Sequence, residues 1–131
     1  MTIYNLGSIN IDMVYQVPHL PAPGETLAAK SYSQGLGGKG ANMSVAAARA
    51  GARTRHIGAV GTDGRWAVER LLEYGVDVEH ITEVSEVTGH AIISVDDSAE
   101  NSIVLWPGAN YRLEVDQIGA ALAEADTGDT L

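Results

Sequence analysis

Residues 35–51 read Gly-Leu-Gly-Gly-Lys-Gly-Ala-Asn-Met-Ser-Val-Ala-Ala-Ala-Arg-Ala-Gly. The second half is rich in alanine, the strongest helix former, and Gly51 stands where a C-terminal glycine cap belongs. The first half puts four glycines into six residues, Gly35 to Gly40. Each glycine costs backbone entropy on folding. A tight turn between a strand and a helix needs one of them, two at most. The usual return for more is close approach of a ligand to the main chain, at the end of a helix whose N–H groups point outward. A ligand-contacting loop followed by a helix is therefore the expected local structure. Two common phosphate fingerprints can be tested against it. Gly35, Gly37 and Gly40 satisfy G-x-G-x-x-G, but the preceding Lys30 to Gln34 is polar where a buried strand is needed. Asp63 falls near the required distance, but after the Gly61 turn and not at a strand end. The nucleotide loop G-x-x-x-x-G-K-[ST] fails, because Ser33 replaces its first glycine and Gly40 follows Lys39.

Outward from this stretch the pattern alternates between strands and helices. Upstream, Ile3 to Ile9 is an apolar run expected to form a buried first strand, ending at Gly7-Ser8. Met13 to Val17 is β-prone, and Pro18, Pro21, Pro23 and Gly24 then break it into a loop. Glu25 to Gln34 is weakly strand-like. Downstream, Arg53 to Val60 reads as a strand closed by Gly61, and Arg65 to Tyr74 as a helix ended by Gly75. Val76 to Val84 is strand or loop. Gly89 to Val95 and Ser102 to Trp106 flank the polar turn Asp96 to Asn101, which predicts a hairpin. Pro107 to Asn110 is a loop, and Val115 to Ala125 a third helix. Thr127 to Leu131 reads as a turn entering another strand. The alternation predicts an α/β protein cut in mid-pattern.

Bulk properties bound the function. A chain of 131 residues suits one domain, and 45 % hydrophobic residues is globular composition. The formal net charge of −9 argues against nucleic acid and against anionic membranes as partners. It leaves phosphate ligands open, since backbone N–H groups can hold them. With no cysteine, disulfides, thiolate metal sites and cysteine nucleophiles are excluded. Met1 leads straight into a strand pattern without a basic leader or a long apolar run, so a cytoplasmic location is expected. His19, His56, His80 and His90 show no ligand spacing and read as surface or strand histidines. No metal site is predicted. Asp96, Asp97 and Glu100 read as a solvated turn.

The stretch Gly37-Gly-Lys-Gly-Ala-Asn-Met-Ser44, followed by Gly51 and Gly61, resembles the N-terminal signature of the ribokinase (PfkB) family of carbohydrate kinases. Leu6-Gly-Ser-Ile-Asn-Ile-Asp12 resembles that family's first-strand motif. Pro23-Gly-Glu-Thr26 resembles the approach to its lid, and Pro107-Gly-Ala-Asn110 its later G-A-N loop. The landmarks stand in family order across nearly the whole chain. The resemblance implies a ribokinase-like three-layer α/β/α sheet with a small β-sheet lid, here truncated. It makes residues 1–131 the N-terminal, substrate-binding part of one domain, with lid strands near 13–34 and 89–106.

The same resemblance implies transfer of a phosphoryl group from ATP, with Mg²⁺, to a sugar hydroxyl. Asn10 and Asp12 fall on sugar-contacting positions at the end of the first strand. A carboxylate can accept two hydrogen bonds from adjacent hydroxyls, and such charge-assisted bonds are strong. By residue type alone, Asp12 could equally solvate a strand end. Gly38, Lys39, Gly40, Ala41 and Asn42 match a second sugar-contacting segment. Asn42 also suits a helix cap, and Lys39 suits either a site near the moving phosphate or a solvated surface. The family's aspartate base lies in a glycine-rich motif of the C-terminal half, with the nucleotide site, and neither has a match here. The 131 residues alone are thus expected to be inactive. Members of the ribokinase-like subgroup often pair through the lid, which points to Ile92, Val95 and Trp106 as a homodimer face. A non-catalytic sugar-binding or dimerising module and a nucleoside kinase are the alternative readings.

Overall fold

The computed structural model describes residues 1–131, and their seven strands and three helices form two sheets. Strand β1 (Thr2–Leu6) is followed by β2 (Asn10–Gln16), β3 (Ser31–Gly37), helix α1 (Lys39–Arg49) and β4 (Arg53–Val60). Helix α2 (Arg65–Glu73), β5 (Ile81–Glu83), β6 (Gly89–Val95), β7 (Asn101–Trp106) and α3 (Val115–Leu122) complete the chain. Strands β1, β4 and β5 form a parallel sheet in the order β1-β4-β5. The other four form a mixed sheet in the order β3-β2-β6-β7. No helix is long and apolar enough to cross a membrane.

A parallel sheet needs cover on both faces, and alternate side chains of β4 supply it. Val60 packs with Ile9, Ala41, Ala67, Leu71 and Val76 in a core under α1 and α2. Ile57 points the other way, to Tyr4 and to Ala121 of α3. Helices thus lie on opposite faces of the small parallel sheet, and the second sheet stands beside it. Helix α3 opens with a reciprocal capping box between Glu114 and Gln117.

Several sequence expectations need correction. The apolar run from Ile3 is two strands, not one. It breaks over residues 7–9, where the chain leaves the parallel sheet for the lid sheet. Asn10 and Asp12 therefore begin the second strand and do not end the first. The glycine loop is also shorter than expected. Gly35, Leu36 and Gly37 belong to β3, which leaves Gly38 alone between strand and helix. The strands of the second sheet accordingly lie within 10–37 and 89–106. Strand β5 occupies only the end of the ambiguous segment from Val76 to Val84, and α3 stops at Leu122. The last segment does enter the sheet: Thr130 forms a parallel bridge with Ile3.

Candidate functional site

The site forms where the two sheets meet, around the chain reversal at residues 7–9 and the start of α1. Asn10, first residue of β2, pairs with Gly37 on one side and Gly89 on the other. Both neighbours are glycine for a steric reason. A Cβ at Gly37 would overlap the Asp12 carboxylate, and one at Gly89 would overlap the Asn110 and Asn10 side chains. Asp12 pairs with Gly35 and Ala91. A Cβ at Gly35 would meet nothing within 4 Å, so the strand beside Asp12 is bare and faces open space.

Asn110 fixes the orientation of Asn10. Its Oδ1 accepts the Ile9 N–H at 2.9 Å, and its Nδ2 donates to Asn10 Oδ1 at 2.8 Å and to the Pro107 carbonyl at 3.0 Å. The Asn10 oxygen is thereby occupied, which leaves its amide N–H groups as the free donors. Asp12 is different. It accepts no hydrogen bond from the protein, and partial burial pushes its carboxyl above the usual range. A half-buried carboxylate without a protein partner is a ready acceptor for hydroxyl groups.

The start of α1 closes the other side. Gly38 has φ of +94°, and a Cβ on it would lie 2.6 Å from the Ser8 carbonyl oxygen and 2.9 Å from the Asn10 nitrogen. This is the one glycine of the run that both sterics and φ require. Gly40 packs its backbone directly on Gly7. Ala41 is fully buried, and its N–H donates to the Ser8 carbonyl at 2.9 Å. It holds the reversal in place and presents no surface of its own. Lys39 and Gly40 occupy the first two helical positions, where the helix leaves N–H groups without internal partners. The Lys39 side chain is exposed. Asn42 is exposed too and caps nothing. It lines a cleft with Gly35 and Leu36 on one side and Arg49, Trp66 and Tyr74 on the other.

Two residues without a functional reading in the sequence are structurally decisive. Asn110 had only its place in the Gly-Ala-Asn loop as a signal. His56, expected as an ordinary surface or strand histidine, is fully buried. Its Nδ1 lies 2.8 Å from Ser44 Oγ and its Nε2 3.1 Å from the Gly7 carbonyl. Asp63, the residue at dinucleotide distance, accepts from the N–H and hydroxyl of Thr88 at 3.0 and 2.8 Å. It ties the end of β4 to the entry of β6.

A sequence profile of the pfkB family carbohydrate kinases matches residues 2–128. The chain belongs to the PfkB family. Its relatives include a ribokinase of Haemophilus influenzae, 47 % identical over 131 residues, an alignment covering 95 % of this chain and 43 % of that protein. A ribokinase of Cryptococcus neoformans solved with ADP superimposes at a TM-score of 0.81 with 43 % identity, over 87 % of this chain and 37 % of that one. The Arabidopsis thaliana ribokinase complexed with ribose and ATP gives 0.76 with 34 % identity, over 83 % and 36 %. The chain thus spans less than half the length of these PfkB relatives. The architecture above is the ribokinase-like α/β fold with its lid sheet, over that N-terminal part.

Proposed function

We propose that residues 1–131 supply the sugar site and lid of an ATP-dependent sugar kinase. One observation carries the reading: Asn10 and the unpartnered Asp12 meet the start of α1 across a wall of bare glycine. In this role Asp12 accepts two sugar hydroxyls and the Asn10 amide donates to a third. Glycines 35, 37 and 38 let the ring approach the main chain. The helix N–H groups of Lys39 and Gly40 and the Asn42 amide complete the polar lining. Binding a hydroxyl at Asp12 gives the half-buried charge the partners it lacks within the protein, so affinity is concentrated there.

Gly37, Gly38 and Gly40 each make close contacts inside the fold, and Asp63, the residue at dinucleotide distance, is turned to Thr88. In this reading ATP, Mg²⁺ and the aspartate base belong to chain outside these residues. ATP supplies the phosphoryl group when bound; the present residues orient the accepting hydroxyl and exclude water from it. The test is a panel of pentoses, hexoses, nucleosides and polyols with the full-length chain. ATP consumption that depends on a pentose is expected, while residues 1–131 alone turn over none. Consumption that is indifferent to every member of the panel would remove the reading.

Asp12→Asn should weaken sugar binding by about 1.5–3 kcal/mol, the range for hydrogen bonds to a charged group. Because burial disfavours the Asp12 charge, the same change should hold or slightly raise the melting temperature. Calorimetric titration checks the first expectation and thermal unfolding the second. Unchanged affinity rejects the assignment, and a lost transition assigns Asp12 to the fold instead.

The lid also carries the proposed homodimer face. Ile92 is 42 % and Trp106 53 % exposed, with Ile103, Val104 and Leu105 of the edge strand at 56–65 %. Val95, the third residue expected there, is partly covered. An edge strand this apolar invites association. Light scattering after size exclusion should give a dimer, and Val104→Glu a monomer. A monomeric parent at micromolar concentration would dismiss this face.

A further inference from the structure

We infer that Asn5, Ser44 and His56 are positioning residues of the proposed sugar site, acting as a hydrogen-bond chain between its two backbone walls. The inference rests on the sugar-kinase reading for its functional half only. All three side chains are buried, at 7 %, 0 % and 0 % exposure. They come from three elements, β1, α1 and β4, far apart in sequence.

The direction of every bond follows from the two ends. The Gly7 carbonyl can only accept, so His56 Nε2, 3.1 Å away, carries the proton. Nδ1 of the neutral ring is then an acceptor, and the Ser44 hydroxyl 2.8 Å away must donate to it. The Ser44 oxygen is left free to accept, and Asn5 Nδ2 donates to it at 2.8 Å. The second N–H of the same amide donates to the Gly40 carbonyl at 2.7 Å. Thus the chain joins two glycine carbonyls: the Asn5 amide donates both ways, to Gly40 directly and towards Gly7 through Ser44 and His56, and every link matches a donor to an acceptor. Gly58 keeps the path open, since a Cβ there would lie 2.9 Å from His56 Nε2 and 3.1 Å from the Gly7 oxygen.

The two ends are the point. Gly7 and Gly40 are the pair whose backbones touch. Gly7 leads into Ser8, Ile9 and Asn10; Gly40 sits in the first turn of α1. Neither has a side chain with which to set their mutual position. The direct bond from Ala41 N–H to the Ser8 carbonyl fixes one point of contact. The buried chain fixes a second, and two points determine an angle. That angle sets how far the Asn10 and Asp12 side chains stand from the helix N–H groups. A polar chain specifies it more narrowly than apolar packing of the same volume, which tolerates small rotations. A misplacement of about 1 Å at such a site is enough to cost a large factor in productive binding.

Ser44→Ala removes the central link with little loss of volume. Long-range ¹H–¹⁵N spectra of the parent should show His56 as the neutral Nε2–H tautomer. In Ser44→Ala, amide exchange should speed up about tenfold at Gly7 and Ala41 together, whose N–H groups donate to Ile57 and Ser8. In the full-length chain the KM for the sugar should rise about tenfold with kcat within twofold, a split that general loss of stability does not produce. Should Ser44→Ala not fold, Asn5→Val puts a strand former on β1, removes the bonds to Gly40 and Ser44, and carries the same expectations. An Nδ1–H tautomer in the parent, or an unchanged KM in a folded variant, overturns the inference. If the parent acts on no sugar at all, the sugar-kinase reading falls. The tautomer and exchange measurements then decide the clamp by themselves.

Discussion

Gly40→Ala should destabilise the protein by about 3–5 kcal/mol, although alanine is the better helix former by about 1 kcal/mol. The sign is decided by what the new methyl meets. A Cβ on Gly40 would stand 2.5 Å from Gly7 Cα, Gly7 C and Ser8 N. These are backbone atoms of the reversal between β1 and β2, so no rotamer change can relieve the contact. Carbon atoms prefer about 3.5–4 Å, and the helix and the reversal would have to part by more than 1 Å. That movement breaks the bonds from Ala41 N–H to Ser8 and from Asn5 to the Gly40 carbonyl, both near the core. The matched control is Gly119, also inside a helix, where a Cβ would meet nothing within 4 Å. Gly119→Ala should stabilise by about 1 kcal/mol, as propensity alone predicts. Urea unfolding of the two variants beside the parent gives opposite shifts of the midpoint. If Gly40→Ala unfolds at or above the parent midpoint, the packing described for the site is wrong.

The same contrast explains how far the sequence could be read. Helix α1 was legible because its signals are local: an alanine-rich run and a terminal glycine. The hairpin of β6 and β7 was legible because the polar turn Asp96 to Asn101 separates two β-prone runs. The break between β1 and β2 was not. Residues 3–11 carry an apolar pattern on both sides of it, and the break is imposed by contact of Gly7 with Gly40, which no local window contains. The candidate site residues divide in the same way. The motif singles out Asp12 and Asn42, but it does not reveal that Asp12 lies unpartnered over Gly37. Asn110 and His56 act through partners distant in sequence. A histidine in an apolar strand carries no sign of a serine and an asparagine waiting for it in other elements. Four glycines looked alike in the sequence, yet they do different things: Gly37 clears the Asp12 carboxylate, Gly38 adopts positive φ, Gly40 touches Gly7, and Gly35 leaves a bare strand.

Stability should fall by about 3 kcal/mol between pH 7 and pH 4 because of His56 alone. Burial lowers the His56 pKa from 6.5 to about 4, against a smaller raising effect of its bond to the Gly7 carbonyl. Above 6.5 the ring is neutral in both the folded and the unfolded chain, and pH has no leverage through it. As pH falls through 6.5 the unfolded chain takes up a proton that the folded one refuses. Each further unit then favours unfolding by 1.36 kcal/mol until the folded ring itself titrates near 4. About 2 kcal/mol should be gone by pH 5. The carboxylates Glu83, Glu124, Asp96 and Asp129 are held below their ordinary values by their hydrogen-bond partners. They too lose stability on acidification, but below about pH 4.5 where carboxyls protonate. Asp12, pushed up by burial, acts with the opposite sign, and a comparison at fixed Asp12 cancels it. The interval from 6.5 to 5 therefore lies above the lowered carboxylates and inside the window of the histidine. Urea midpoints taken across it for the parent and for His56→Gln, which cannot titrate, measure the difference directly. The variant should start less stable at pH 7, since the hydrogen-bond chain through Ser44 is altered, and its profile should be flatter by about 1.6 kcal/mol over this range. Parallel profiles would mean that the folded protein accepts the proton as readily as the unfolded chain, which a ring closed in by Ser44, Gly7 and Gly58 could do only if that part of the core opens to water.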